Sequence, residues 1–270
     1  MLILSDCHGW LADLKALRCI NYILRDNKFD EVVINGDLAD FPYISKHTKH
    51  LYEDGILKGY SEVAEVKYIR EQILAPMRAS TDARIRVRVG NHCERVTKPY
   101  SLTKEQLERL SILYKEFETT RWGEMLGVQC RTEAGDPKDV DDYIYDESPA
   151  YTFFDKFTVT HGLSLSKNAS EKNIYEYMGS GSSGHTHRLA AKYITNRVNP
   201  YAWFESGHTR IGEFIEYLPT GKIADWQQGF IEINFYTELE SAYFFGTPHP
   251  IVNGLCEFNG IVYNGNPLRL

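Results

Sequence analysis

Apolar positions follow two alternating periods along the first third of the chain. Leu2–Leu4 is a three-residue apolar run that predicts a short buried strand. From Leu11, apolar side chains recur at Leu14, Leu17, Ile20 and Leu24, the spacing of one helix face. Glu31–Ile34 predicts a second strand, which stops at Asn35-Gly36-Asp37. Ser61 to Leu74 returns to helical spacing through Val63, Val66, Ile69 and Ile73, and Pro76 is expected to end that helix. Arg84–Val89 alternates strictly and predicts a third strand, ending at Gly90-Asn91-His92. Strand, helix, strand, helix, strand is the signature of a layered α/β fold. In open α/β sheets ligands bind outside the carboxyl ends of the strands, so the polar residues at those ends are where chemistry is expected.

The remainder is less regular. Leu102 to Phe117 is helix-like and is followed by Trp122. Arg131 to Glu147 carries seven acids against two bases and predicts a solvated loop. Residues 97–148 therefore look like a helical and acidic-loop insertion, placed to cap the site, within one domain spanning 1–270. Tyr151–Thr160 predicts a strand that delivers His161, and the Gly/Ser-rich run from Gly179 to Gly184 predicts a flexible loop. Beyond Arg188 the pattern is mostly strands, around Tyr201–Glu205, Ile211–Leu218, Phe230–Tyr236 and Gly260–Tyr263. Arg84, Arg86 and Arg88 share one strand face, where three unpaired like charges would repel, so acids on a covering helix are expected to pair with them.

Composition narrows the function classes. A chain of 270 residues with 43% apolar side chains can bury a sizeable core, and 13% aromatics suit a sheet-rich protein. A formal charge of −7 offers no global attraction to nucleic acid or to an anionic membrane. Five scattered cysteines without a CxxC pair argue against a disulfide framework or a zinc knuckle and fit the cytoplasm. No apolar stretch is long enough to span a bilayer, so no membrane partner is expected.

Five separated fragments carry the same kinds of atoms: Asp6-Cys7-His8-Gly9, Gly36-Asp37, Gly90-Asn91-His92, His161-Gly162 and Gly184-His185-Thr186-His187. Each follows, or nearly follows, an expected strand. Carboxylate, imidazole and amide oxygen without thiolate suit zinc, iron, manganese or related divalent ions rather than a structural zinc site. In extended backbone, side chains two apart fall on the same side, which suits Asp6-x-His8 and His185-x-His187. Any single histidine is more commonly a core or surface residue; the ordered set is what points to metal.

In this order the fragments resemble the calcineurin-like metallophosphoesterases, over the two-thirds of the chain from Asp6 to His187. The resemblance implies an α-β-β-α sandwich of two mixed sheets flanked by helices. It implies two divalent ions (manganese favoured, with iron, zinc and nickel as alternatives), one held by Asp6, His8, Asp37 and His187 and the other by Asp37, Asn91, His161 and His185. His92 would be the acid facing the substrate phosphate, with Asp40 orienting it. Asn35-Gly36-Asp37-x-x-Asp40-Phe41, Gly90-Asn91-His92-x-Glu94-Arg95, Gly184-His185-Thr186-His187-Arg188 and Trp226-Gln227-Gln228-Gly229-Phe230 are most similar to a small branch from bacteriophage and prophage genomes, which would place the protein in a host cytoplasm. Cys93 stands where many members have an acid, and Phe41 where protein-phosphatase relatives place a substrate-binding arginine.

Arg95, His47 and His208 are the candidates for touching substrate, against a solvated or turn role for each histidine. Cys7 and Cys93 flank ligands and are expected to pack away from the metals. The expected activity is hydrolysis of a nucleotide-type or other small phosphate ester. A metal-dependent nuclease is the alternative, and a non-catalytic interaction protein on the same fold is the third reading. The sequence carries no signal for an oligomeric state.

Overall fold

The computed structural model describes residues 1–44, 60–99, 102–130, 143–162, 164–197, 199–211, 224–238 and 242–267. The strands, in chain order, are β1 (Leu2–Leu4), β2 (Glu31–Asn35), β3 (Arg84–Arg88), β4 (Gln129–Cys130), β5 (Tyr143–Asp146), β6 (Ala150–Phe153), β7 (Phe157–Thr160), β8 (Ser180–Ser183), β9 (Leu189–Thr195), β10 (Pro200–Ser206), β11 (Gly229–Tyr236), β12 (Tyr243–Pro250), β13 (Leu255–Phe258) and β14 (Ile261–Asn264). The first sheet has seven strands in the order β12-β11-β1-β2-β3-β5-β4, and the second has five in the order β6-β7-β8-β10-β9. Both are mixed: β1, β2, β3 and β5 run parallel while β11 and β12 are antiparallel, and β8 is parallel to β7 and β10 while β6 and β9 are antiparallel. A separate hairpin joins β13 to β14.

The period-two alternation of each strand decides which layer it faces. Leu2, Leu4, Val32, Ile34, Ile85 and Val87 point to one side of the first sheet, into a core shared with α1 (Leu14–Asp26) and with Leu110, Trp122 and Met125 of the 97–148 segment. Met1, Ile3 and Val33 point to the other side, where they meet Phe157, Val159, Ala202 and Phe204 of the second sheet. Helix Ala169–Tyr177 covers the far face of that second sheet, with Tyr177 stacked on Trp203. The result is a four-layer arrangement of helices, sheet, sheet and helix.

This layering corrects the reading of the arginine stripe. Arg86 and Arg88 face the second sheet, not a helix, and both are buried. Their acids come from neighbouring strands: Arg86 Nε donates to Glu31 at 2.6 Å and Arg88 Nη1 to Asp146 at 2.7 Å. Arg86 also lies over the Tyr151 ring at 4.2 Å. Buried cations need such partners, because an ion without one carries its full desolvation cost.

Three further expectations are revised. Pro76 does not stop its helix: Glu62–Tyr68 continues as a π-helical stretch, Ile69–Leu74, and then as Ala75–Arg78. The Ala75 N–H reaches back five residues to Arg70 O, so Pro76 enters as the start of a new α turn, where its missing N–H is not needed. The Gly179–Gly184 run is a fully buried central strand, β8. Its side chains are small because they must be: a Cβ on Gly181 would collide with Thr158 O and the Trp203 ring. The end of the acidic run forms β5, since Ile144 and Tyr145 are buried against the first sheet. Strands β9, β12 and β13 lack a clear alternating signature. Residues 212–218 of the expected strand around Ile211–Leu218 and most of the acidic loop lie outside the described residues, as does His47. Among the described residues, no helix is long and apolar enough to cross a membrane.

Candidate metal centre

The carboxyl ends of β1, β2, β3, β7 and β8 converge on one edge of the sandwich. The loops after β1 and β2 are zipped together by backbone bonds, from Asp6 N to Gly36 O (3.2 Å), His8 N to Asp37 O (2.9 Å) and Gly9 N to Leu38 O (2.8 Å). Asn35 ties the two sheets at the same edge. Its side chain donates to Thr160 O at 2.7 Å and its carbonyl accepts from His161 Nδ1 at 2.9 Å. Gly36, at φ +86°, needs its freedom twice over, since a Cβ there would also collide with the His161 ring.

The backbone under the candidate ligands is strained. Asp6 (φ 55°), His8 (56°), Asp37 (46°), His185 (66°) and His187 (58°) all occupy the left-handed region. Each such residue costs on the order of 1–3 kcal/mol and persists only where its surroundings enforce it. That five of the seven sequence-derived ligand positions carry it marks the edge as built around a function.

The side chains gather into overlapping groups. Asp6, His8 and His187 form one, and Asp37, His161 and His185 another, with ligand atoms in each group within 4.8 Å of one another. A third, His8, Asp40 and His92, shares His8 with the first. His8 Nδ1 lies 2.8 Å from Asp40 Oδ1. A carboxylate only accepts, so this nitrogen carries the proton and Nε2 offers its lone pair inward. That lone pair faces His187 Nε2 at 3.1 Å. Asp6 Oδ1, 3.2 Å from His187 Nε2, is buried and makes no hydrogen bond among the described residues. In the second group His161 Nδ1 donates to Asn35 O, which turns Nε2 toward Asp37 Oδ2 and Asn91 Oδ1, each 3.1 Å away. In the first group the His8 Nε2 lone pair and the unbonded Asp6 Oδ1 face one position, an arrangement that a cation relieves; in the second, a protonated His161 supplies beside Asp37 and Asn91 the positive charge that a cation would replace. The donor set of imidazole, carboxylate and amide oxygen fits a divalent ion of the zinc, iron or manganese type.

The electrostatics agree. Burial pushes His8 down to about 4, so it is a neutral imidazole suited to ligation. Burial alone would raise Asp6 and Asp37, but the imidazoles of His187 and His161 beside them hold both carboxyls below the ordinary range. Burial also opposes charge on His161, yet Asp37 outweighs it and lifts the imidazole to about 9. His92 is lifted in the same way, by Asp37 and by its bond to Asp40, against burial.

His92 sits at the rim with 19% of its side chain exposed, against 3% for His8. Its backbone N–H donates to Asp37 Oδ1 at 2.9 Å, and its Nδ1 faces Asp40 O at 2.9 Å and Asp40 Oδ1 at 3.1 Å. Asp40 therefore backs both His8 and His92. Arg95 also turns to Asp40, donating from Nη1 to its carbonyl at 3.1 Å. His208 is buried, not at a substrate edge: it lies against His187 and Trp226, accepts from the Arg210 N–H, and is pushed by burial to about 3. Cys7 and Cys93 face the core as free thiols, and burial pushes both up to about 12.

Two buried glutamates escaped the sequence reading. Glu65 accepts from the backbone N–H groups of Asp40 (2.8 Å) and Phe41 (3.1 Å) and from the Tyr60 hydroxyl. Glu205 accepts from Ser170, from Thr186 and from Arg188, whose Nη2 lies at 3.0 Å. Neither had a local signal that named its role, because the amides Glu65 holds lie 24 and 25 positions away and the side chains Glu205 holds lie 17 to 35 away.

No family model matches the chain. It is similar to the Gene 54 protein of Mycobacterium phage D29, 26% identical over 250 residues, covering 85% of this chain and 86% of that protein. The Gene 54 protein of Mycobacterium phage L5 is 26% identical over 242 residues, with the same coverage. Among solved structures, a single-substitution variant of Vps29 from Entamoeba histolytica aligns over 98% of both chains, with TM-score 0.42 and 10% identity. Wild-type Vps29 of that organism in complex with zinc aligns over the same share, with TM-score 0.41 and 13% identity.

Proposed function

We propose that this chain is a phosphoesterase that works with two divalent cations, manganese favoured, on a nucleotide-type or other small phosphate ester in the cytoplasm of a phage-infected host. The observation that carries this reading is the pair of adjoining ligand groups, Asp6–His8–His187 and Asp37–His161–His185, with Asn91 Oδ1 beside the second. Asp37, between the β1 and β3 loops, is the residue suited to serve both ions. Bound cations would supply Lewis acidity, lowering the pKa of water and offsetting charge on the phosphate.

The remaining steps belong to the chain. Asp40 holds His92 by Nδ1, so Nε2 faces the candidate centre, 3.8 Å from Asp37 Oδ2. Asp37 and Asp40 raise its pKa, which favours the doubly protonated imidazole, the form able to give a proton to a leaving oxygen. The β1–β2 zipper fixes Asp6 and His8 before substrate arrives. The chain's −7 charge favours a small ester over a nucleic-acid polymer.

The test is metal content of the purified protein by elemental analysis, with turnover of p-nitrophenyl phosphate and its bis-ester before and after chelation and after addition of Mn²⁺ or Zn²⁺. Up to two ions per chain and chelator-sensitive turnover are expected. A protein that binds no metal and cleaves neither ester with any added ion would end this reading.

A further inference from the structure

The helix that begins at Glu62 has no apparent business with the metal centre, yet it inserts one fully buried carboxylate directly behind it. Glu65 lies beneath the crossing of the two loops that carry His8 and Asp37. A Cβ on Gly9 would collide with its carboxylate. Its Oε1 takes the Asp40 N–H, and its Oε2 takes the Phe41 N–H and the Tyr60 hydroxyl. Phe41 is itself in the left-handed region (φ 47°), so the chain at 40–41 sits in a shape it would not hold unaided.

What Glu65 holds is consequential. The Asp40 side chain takes His8 Nδ1, and the Asp40 carbonyl takes His92 Nδ1. A shift in residue 40 therefore moves a ligand imidazole and the rim imidazole together. Glu62, one turn earlier in the same helix and also buried, does nothing of the kind; it faces Arg109 at 3.7 Å. Burying a carboxylate against backbone amides is costly unless the bonds it makes are needed.

We infer that Glu65 is a positioning residue: through the Asp40 and Phe41 amides it sets the placement of Asp40, and through Asp40 the aim of His92. The inference rests on the phosphoesterase reading for its kinetic consequence but not for its structural one. Glu65→Gln keeps the volume and replaces one acceptor oxygen with an NH₂ that opposes an incoming N–H. Displacements of about 1 Å in a catalytic group cost up to ~10²-fold. So, compared at saturating metal, kcat for an alkyl phosphate, which needs a proton on its leaving oxygen, should fall about 10–10²-fold with KM unchanged. For p-nitrophenyl phosphate the fall should be no more than about threefold, because that leaving group needs little protonation. Tyr60→Phe, which removes one hydroxyl, should show the same pattern at about fivefold or less.

A second readout needs no turnover. In the zinc-loaded full chain, the hydrogen-bonded Nδ1 proton of His92 should give a resolved NMR signal in wild type and in Glu62→Gln, and should broaden away in Glu65→Gln. If Glu65→Gln and Tyr60→Phe keep the wild-type ratio between the two esters and the imidazole proton, Glu65 only fills space and the inference is wrong. A uniform loss on both esters overturns it equally. If wild type cleaves neither ester, the phosphoesterase reading fails, and the imidazole proton still decides the role of Glu65. If Glu65→Gln does not fold, Tyr60→Phe decides it.

Discussion

The two sheets meet at the candidate metal centre with differently supported loops. On the first-sheet side, His8 and His92 lean on Asp40, and Asp40 leans on Glu65, a carboxylate served by two amides and a tyrosine hydroxyl. On the second-sheet side, the loop carrying His185 and His187 is backed by Glu205, which takes two nitrogens of Arg188 and the hydroxyls of Thr186 and Ser170. Burial and the nearby Asp40 charge lift Glu65 to about 7. The first support thus reaches the rim imidazole of His92, the proposed acid, while the second locks the shape of a loop. Damage on the first side should appear in chemistry, and damage on the second in stability and metal retention.

The largest effect expected from this contrast is at His92. His92→Asn should keep its metal while turnover of esters with poor leaving groups falls about 10²–10⁴-fold, the usual contribution of a positioned acid. Elemental analysis and a leaving-group series on the same samples check this, and an equal fall on every ester would reduce His92 to an electrostatic role. Glu205→Gln comes next. It leaves Arg188, only 14% exposed at its side chain, without its counter-charge. Removing one member of a buried pair costs about 3–5 kcal/mol, and the retained hydrogen bonds and partial exposure bring the expected loss to about 2 kcal/mol. Urea unfolding measures it, and the ratio between the two esters should not move. The smallest effect is at the thiols. With Cys7 and Cys93 pushed up to about 12, their thiolate fraction at pH 8 is about 10⁻⁴, so native protein should resist alkylation that proceeds readily in urea. Rapid native labelling of either, followed by mass spectrometry, would contradict their packing.

The same asymmetry governs what the sequence could disclose. The first-sheet side was legible because each candidate ligand follows, within a few residues, a short strand with a clear apolar or alternating pattern: Leu2–Leu4 before Asp6, Glu31–Asn35 before Asp37, Arg84–Arg88 before Asn91. The second-sheet side was harder. Ser180–Ser183 carries no apolar residue, since Trp203 and the β7 backbone leave space only for small side chains, so a buried strand looked like a loop. Pro76 misled because a π turn upstream absorbs it. Tyr143–Asp146 was hidden by the acids around it, although Asp146 is there to meet Arg88. Glu65 and Glu205 are invisible in one dimension, where a glutamate on a helix or strand looks like a solvated face; only the fold shows what they hold.

The backbone zipper between the β1 and β2 loops has one more consequence, for how the chain breathes. The amides of Asp6, His8 and Gly9 are spent on carbonyls of Gly36, Asp37 and Leu38, in buried surroundings and next to the central strands. Amides of that kind exchange with solvent only when a large cooperative unit opens. These three should therefore be among the slowest to pick up deuterium in the metal-free protein, close to the limit set by global unfolding. Cations then arrive at loops whose backbone is already ordered, and little of their binding energy is diverted into organising the chain.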